Sequence, residues 1–370
     1  MLWQSELDAS SKQYSTKMKL LPIFIFFILV TSSKVSRAVD CKNENMIRST
    51  ITVGKSGPAG VFQTIQAAID SIPSNNDQWI KVHISPGIYN EKVTIPPEKP
   101  CIFLEGSGRH VTIITHDDHD QTDTSATFTS SPDNVVASGI TFQNSYNRAL
   151  ALNSYYSSMA IGDPVARAVA ARIYGDKSAF FECGFVGFQD TLWDVRGRHF
   201  FKNTYIEGGV DFIWGSGQSI YMDCMINVTV GTMLPQGCMG YITAQRRESA
   251  NEPNGFVFRR GSVYGRGQAL LGRAYGPYSR VIFHQTTFNN VVAPQGWGAW
   301  DYPGQEYYTN QWIDEVKGCV APHKDVEIFE ERNKCLKGFF PDIDDRKKVN
   351  VEFSLFSGIM SYDDDSIEER

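Results

Sequence analysis

No basic stripe runs through this chain of 370 residues: 35 lysines and arginines face 41 aspartates and glutamates, for a formal net charge of -6. Nucleic acid is therefore a poor partner, because phosphate binding needs clustered positive charge. No Cys-x-x-Cys spacing occurs among the 7 cysteines (41, 101, 183, 224, 238, 319 and 335), so no structural zinc site is expected. No Gly-x-Ser-x-Gly elbow is present, which disfavours a serine esterase of the α/β-hydrolase kind. Gly106-Ser107-Gly108-Arg109 lacks the Lys-Ser/Thr of a phosphate loop and reads as a turn. The apolar run Leu20 to Val30 is short for a membrane span, which needs roughly 20 residues. Helical periodicity is weak outside Phe62 to Ile72, where Phe62, Ile65, Ala68, Ile69 and Ile72 share one face and predict a single amphipathic helix.

Hydrophobic residues make up 42% of the chain and charged residues 21%, which permits a sizeable core and excludes global disorder. Met18-Lys19 precedes the apolar run and Ser36-Arg37-Ala38 closes the polar stretch after it, the layout of a secretory signal peptide. A buried core segment is the weaker alternative. Met18 is a candidate start, with residues 1–17 lying before it. Residues 1–38 are expected to be removed, leaving a secreted chain that begins near Val39 and is not membrane-bound. Secretion permits disulfides, and an odd cysteine count leaves at least one thiol free or bonded to another molecule. Asn227-Val228-Thr229 is a glycosylation sequon, usable if it faces solvent. Residues 342–370, with Asp344-Asp345-Arg346-Lys347-Lys348 and Asp363-Asp364-Asp365, read as a solvated, mobile extension.

Short aromatic and β-branched runs recur along the middle of the chain. They begin at Gly139, Ala179, His199, Ser219, Gly255 and Val281, and several end in Gly, Asn or Asp. Phe185, Tyr205 and Met225 follow one another at equal spacing. A steady period of ~20–25 residues suggests a solenoid whose coils stack. A β-sandwich, with turns every ~8–12 residues, is the competitor. In a stack, residues one coil apart lie about 4.8 Å from each other.

That spacing gives two carboxylates meaning. Asp190 lies in Gly187-Phe188-Gln189-Asp190-Thr191-Leu192-Trp193, and Asp211 in Gly208-Gly209-Val210-Asp211-Phe212-Ile213-Trp214-Gly215, about one coil later. Both sit just beyond a strand among aromatic residues. Stacked coils would bring them together in a partly dry site, where like charges cannot both ionise easily. An acid and a nucleophile side by side would result. Asp is also a common turn residue, so a purely capping role stays open on spacing alone. His116-Asp117-Asp118-His119-Asp120 carries metal-ligand types but no further ligand set, and reads as a polar loop.

These segments resemble the plant pectin methylesterase (pectinesterase) family. The two aspartate motifs, Leu271-Gly272-Arg273-Ala274-Tyr275 and Gly87-Ile88-Tyr89-Asn90-Glu91-Lys92 look like its four signatures, and the stretch opening at Ile51 resembles its first segment. The likeness runs in order from about Ile51 to Trp300. The resemblance implies an all-β, right-handed parallel β-helix with a short N-terminal helix, spanning residues 39–341 as the catalytic domain. It implies hydrolysis of galacturonate methyl esters in pectin (homogalacturonan) at the cell wall, without metal or cofactor. It further implies Asp211 as nucleophile, Asp190 as proton donor and then base, Gln189 as oxyanion stabiliser, and Arg273 as the cation orienting Asp211. Tyr275 and Trp297 match positions lining the sugar groove, and Thr122 aligns with a substrate-contacting threonine.

Departures are informative. Arg167-Ala168-Val169-Ala170-Ala171-Arg172 stands where the family has Gln-Ala-Val-Ala-Leu-Arg, so Arg167 replaces a second oxyanion-hole glutamine. Arginine can still donate to an oxyanion, but losing one donor typically costs ~10²–10³ in rate. A catalytically impaired pectin-binding protein is thus the first alternative, and a pectin lyase or glycosidase of the same fold the second. Tyr275 replaces the usual tryptophan, and Ala274 the proline before it. No inhibitor-like pro-domain is expected ahead of the motifs. A monomer is expected, with a proteinaceous pectinesterase inhibitor as a candidate partner. Trp193, Trp214, Trp297 and Trp300 are candidate sugar platforms or core fillers.

Overall fold

Parallel pairing organises the chain. The computed structural model describes residues 41–42, 47–148, 165–234 and 236–300; residues 1–38, Cys319, Cys335 and the extension 342–370 lie outside them. The described strands form three sheets, of 9, 8 and 8 strands. Each coil gives one strand to each sheet in turn. Thus Arg198–Lys202, Tyr205–Gly208 and Val210–Gly215 make one coil, and Gln218–Met222, Met225–Val228 and Met239–Gln245 the next. Like strands of successive coils pair in parallel. This is the expected right-handed parallel β-helix.

A recurring backbone device bends the chain from the first strand of a coil to the second. Gly139, Glu182, Asn203, Asp223, Arg260 and Gln285 hold φ between 52° and 65° at equivalent corners. One left-handed residue turns the chain sharply; Gly, Asn and Asp take that conformation most readily. Inside, side chains alternate between core and surface. Phe180, Phe201, Tyr221, Phe258 and Phe283 occupy matching inward positions and stack with centroids 5.1, 4.6, 4.6 and 4.4 Å apart. Each such buried side chain contributes roughly 1.5–3 kcal/mol.

The sequence register needs one correction. Tyr205 pairs with Met225, but Phe185 pairs with Ile206, and Gly184 with Tyr205. A one-residue slip changes the face: Phe185 is core, whereas Tyr205 faces outward and its hydroxyl donates to Glu207. The helix is also shorter than its periodicity predicts, covering Ile65–Asp70. Phe62 is instead paired with Val53, its N–H donating to Thr52 O. Glu91, from one of the signature segments, accepts the helix's Ile65 and Gln66 N–H groups at 2.9 and 3.0 Å.

Cys41 and Cys101 form a disulfide across a separation of 60 residues; closing a loop of that length is worth about 4 kcal/mol on the chain-entropy estimate. Cys183 and Cys224 are buried thiols that burial pushes up to about 12, so they stay protonated. Asp118 of the His116–Asp120 loop pairs with Lys92 at 2.5 Å, and His119 stacks on Tyr146. Among the described residues no helix is long and apolar enough to cross a membrane.

Candidate active site

Asp190 and Asp211 occupy the same place on adjacent coils. Leu192 pairs with Ile213 and Trp193 with Trp214, and the Asp190 N–H donates to Val210 O at 3.1 Å. Both aspartates follow a strand of the same sheet, though Asp211 already belongs to the next one, Val210–Gly215. Both sit at the corner leading into that next strand with positive φ, 61° and 46°. This left-handed conformation breaks the inward–outward alternation of an extended strand. The ladder irregularity between Val210 and Ile213 belongs to the same feature. Gly209 explains the glycine pair before Asp211: a Cβ there would lie 2.2 Å from the Phe188 ring, which fills the space below.

The two carboxyls are only 6% and 5% exposed, yet their surroundings differ. Asp211 receives Arg273 Nε at 2.8 Å and Nη2 at 2.5 Å, one on each oxygen. Burial is the largest influence and leaves its pKa raised, with the Arg273 hydrogen bonds and charge opposing. For Asp190, burial comes first, then the charge of Asp211, and together they raise its pKa to about 8; Arg167 and Arg273 oppose from a distance. Asp211 thus has a cation paired to its negative charge, whereas Asp190, raised to about 8, favours the acid at neutral pH. That is the division of labour a covalent ester hydrolysis needs.

Gln189 adjoins Asp190, pairs with Val210, and accepts the Ala168 N–H at 3.2 Å. This contact fixes the chain one residue after Arg167, which is exposed and whose charge reaches Asp190. An outward file of rings continues from the dyad. Trp193 stacks on Trp214 at 4.2 Å, Trp214 meets Tyr275 at 6.2 Å, and Tyr275 stacks on Trp300 at 5.4 Å. Arg172 lies 4.4 Å over Trp193 and ties down the carbonyl of Asp123, the neighbour of half-buried Thr122. Trp297 is half-buried against the core, 6.2 Å from Phe283. The Asn227 amide donates to Tyr205 Oη at 2.8 Å and to Glu207 at 3.3 Å.

Sequence reasoning missed the role of two rings. Tyr241 and Trp300 face the Arg273 guanidinium from 4.2 and 3.5 Å. Trp300 was visible as a candidate platform, but nothing in the spacing pointed to Tyr241. It also missed a sealed polar cluster at the end of the strand Leu192–Asp194: Asp194 contacts His199 Nδ1 at 2.6 Å and accepts from Tyr221 Oη at 2.7 Å, all inside the coil. Among the described residues no group of three or more His, Cys, Asp or Glu is placed to hold a metal ion.

Comparison with known proteins gives consistent results. The family model described as pectinesterase matches residues 50–309. "Probable pectinesterase 55" of Arabidopsis thaliana is 50% identical over 272 residues, 73% of this chain and 79% of the relative. "Probable pectinesterase 29" of the same plant is 45% identical over 300 residues, 81% of this chain and 86% of the relative. Among solved structures, pectin methylesterase from carrot superposes with a TM-score of 0.61 at 30% identity, covering 68% of this chain and 77% of that one.

Proposed function

The chain belongs to the pectinesterase family and hydrolyses the methyl esters of galacturonate units in pectin, and we propose that Asp211 and Asp190 carry out this reaction as nucleophile and acid–base partner. An Asp211 oxygen attacks the ester carbonyl, and the electron pair moves onto the carbonyl oxygen. The Gln189 amide and the Arg167 guanidinium donate to that oxyanion. As the oxyanion collapses, the C–OCH3 bond breaks and the Asp190 proton goes to the departing oxygen, releasing methanol. The result is an anhydride between Asp211 and the sugar carboxyl. Asp190, now a carboxylate, takes a proton from water as the water attacks the anhydride. Free galacturonate leaves, Asp211 returns to its ion pair with Arg273, and Asp190 is again protonated.

The observation that carries this reading is the contrast between the carboxyls: Asp211 holds a two-point contact with Arg273, and Asp190 has no such partner among the described residues. Methanol release measured against pH tests it. Activity requires protonated Asp190, so kcat/KM is expected to fall on the alkaline side near pH 8. Arg167 holds that pKa down, so Arg167→Gln should move the alkaline limb to higher pH. The glutamine can still donate to the oxyanion, so the maximal rate should stay within about tenfold. An alkaline limb unmoved by Arg167→Gln would remove Arg167 from the site.

Thr122, Tyr275 and Trp297 are proposed to contact the polymer. Residues 1–38 are proposed as a leader cut near Val39, sending a monomer to the wall; the Cys41–Cys101 disulfide suits an oxidising compartment. N-terminal sequencing of the exported protein checks this, and a mature chain still carrying residues 20–30 would refute it. A glycan at Asn227 would use the nitrogen now bonded to Tyr205 and Glu207, so its attachment has to precede folding of that coil. A proteinaceous pectinesterase inhibitor remains the candidate protein partner.

A further inference from the structure

The residue that orients the nucleophile is itself held. The Arg273 guanidinium lies 3.5 Å from the Trp300 ring centroid and 4.2 Å from that of Tyr241. The two rings come from different coils. Tyr241 is on the strand Met239–Gln245, which pairs with both the Asp211 strand and the Arg273 strand. Its N–H donates to Gly209 O at 2.9 Å, two residues before Asp211. Trp300 follows the last described strand, Trp297–Gly298, where Arg273 pairs with Gly298. Gly298 lies beside both members of this contact: a Cβ there would make ordinary contacts with Arg273 Cβ at 3.4 Å and Tyr241 Cε1 at 3.8 Å. Trp300 adopts φ 52°, an uncommon conformation for a bulky residue that its surroundings must maintain. Stacking on Tyr275 at 5.4 Å is one such restraint. Aromatic faces attract a guanidinium and shed water from it.

We propose that Tyr241 and Trp300 are positioning residues for the nucleophile, clamping Arg273 so that Nε and Nη2 stay aimed at the two oxygens of Asp211. They act through Arg273 and not on the ester. The inference rests on Asp211 being the nucleophile. The charged groups around Asp211 are Asp190 on one adjoining coil and Arg273 on the other side; Arg167 acts on Asp190, and Arg246 lies over the Tyr275 ring while paired with Glu248. Burial drives Asp211 toward its neutral form and Arg273 opposes this. A loosened clamp therefore raises the pH at which Asp211 ionises, and the acid limb of the rate profile moves up.

The test is the pH profile of kcat/KM for methanol release by wild type, Trp300→Ala, Trp300→Phe, Tyr241→Leu and Arg273→Gln. Arg273→Gln, Trp300→Ala and Tyr241→Leu are each expected to raise the acid limb, by about one pH unit. For Trp300→Ala and Tyr241→Leu, kcat should fall while KM stays within about twofold. Trp300→Phe, which keeps a ring, should restore the wild-type limb. If Arg273→Gln moves the acid limb but Trp300→Ala and Tyr241→Leu do not, the clamp is overturned and the nucleophile reading survives. A raised KM with an unmoved limb would have the same meaning and make Trp300 a sugar platform. An acid limb unmoved even by Arg273→Gln would overturn both.

Discussion

Asp211→Asn is expected to abolish methanol release, lowering kcat by at least about 10⁴-fold, the scale seen when a nucleophile is removed. The asparagine amide cannot form the anhydride, so the covalent route closes at its first step. Asparagine is the right probe for structural reasons. Position 211 has φ 46°, a conformation that Asn tolerates and that would strain most other residues. The side chain keeps its size, and its carbonyl can still accept from Arg273. Thermal unfolding and the circular dichroism of the purified variant should therefore match wild type. A folded variant with normal turnover would show that Asp211 does not attack the ester.

Asp190→Asn is expected to cost about 10²–10⁴-fold, the range for a general acid–base, and to erase the alkaline limb that Asp190 provides. Its signature differs from that of Asp211→Asn. With an activated ester, whose leaving group needs no proton, acylation should recover while water attack remains slow. About one equivalent of alcohol per enzyme should appear as a burst and then nearly stop, the kinetic mark of an accumulating acyl-enzyme. Asp211→Asn should give no burst with the same ester. A variant at position 190 that turns over both esters normally, with the wild-type alkaline limb intact, would contradict the acid–base role.

The fold was legible where coils are short. Asp190 and Asp211 fall 21 residues apart because only one tight coil separates them, as the pairing of Leu192 with Ile213 records. Elsewhere, loops break the period. The helix Val230–Met233 and the segment 246–254 lengthen the coils between Asp211 and Arg273, so no spacing argument reaches from one to the other, and only the motif Leu271–Tyr275 flagged Arg273. Corners were half legible: Gly139, Asn203 and Asp223 suit a left-handed turn, but Glu182, Arg260 and Gln285 adopt it too because the stack imposes it. Equal spacing misled at Phe185 and Tyr205, since one coil there carries an extra residue and the facing reverses. Tyr241 was invisible because its role depends on which strand lies between two others. The Asp194–His199–Tyr221 cluster was invisible because polar residues inside a coil leave no mark in a pattern that otherwise alternates.

All of this depends on a divided pair, with one aspartic acid and one aspartate on neighbouring coils. Carbon-13 NMR of protein labelled at the aspartate carboxyls follows that division directly. One carboxyl should titrate near pH 8, disappear from the titration in Asp190→Asn, and move to higher pH in Arg167→Gln. If every aspartate of the wild-type protein is fully ionised by pH 6, Asp190 holds no proton to give to methanol, and the mechanism is wrong.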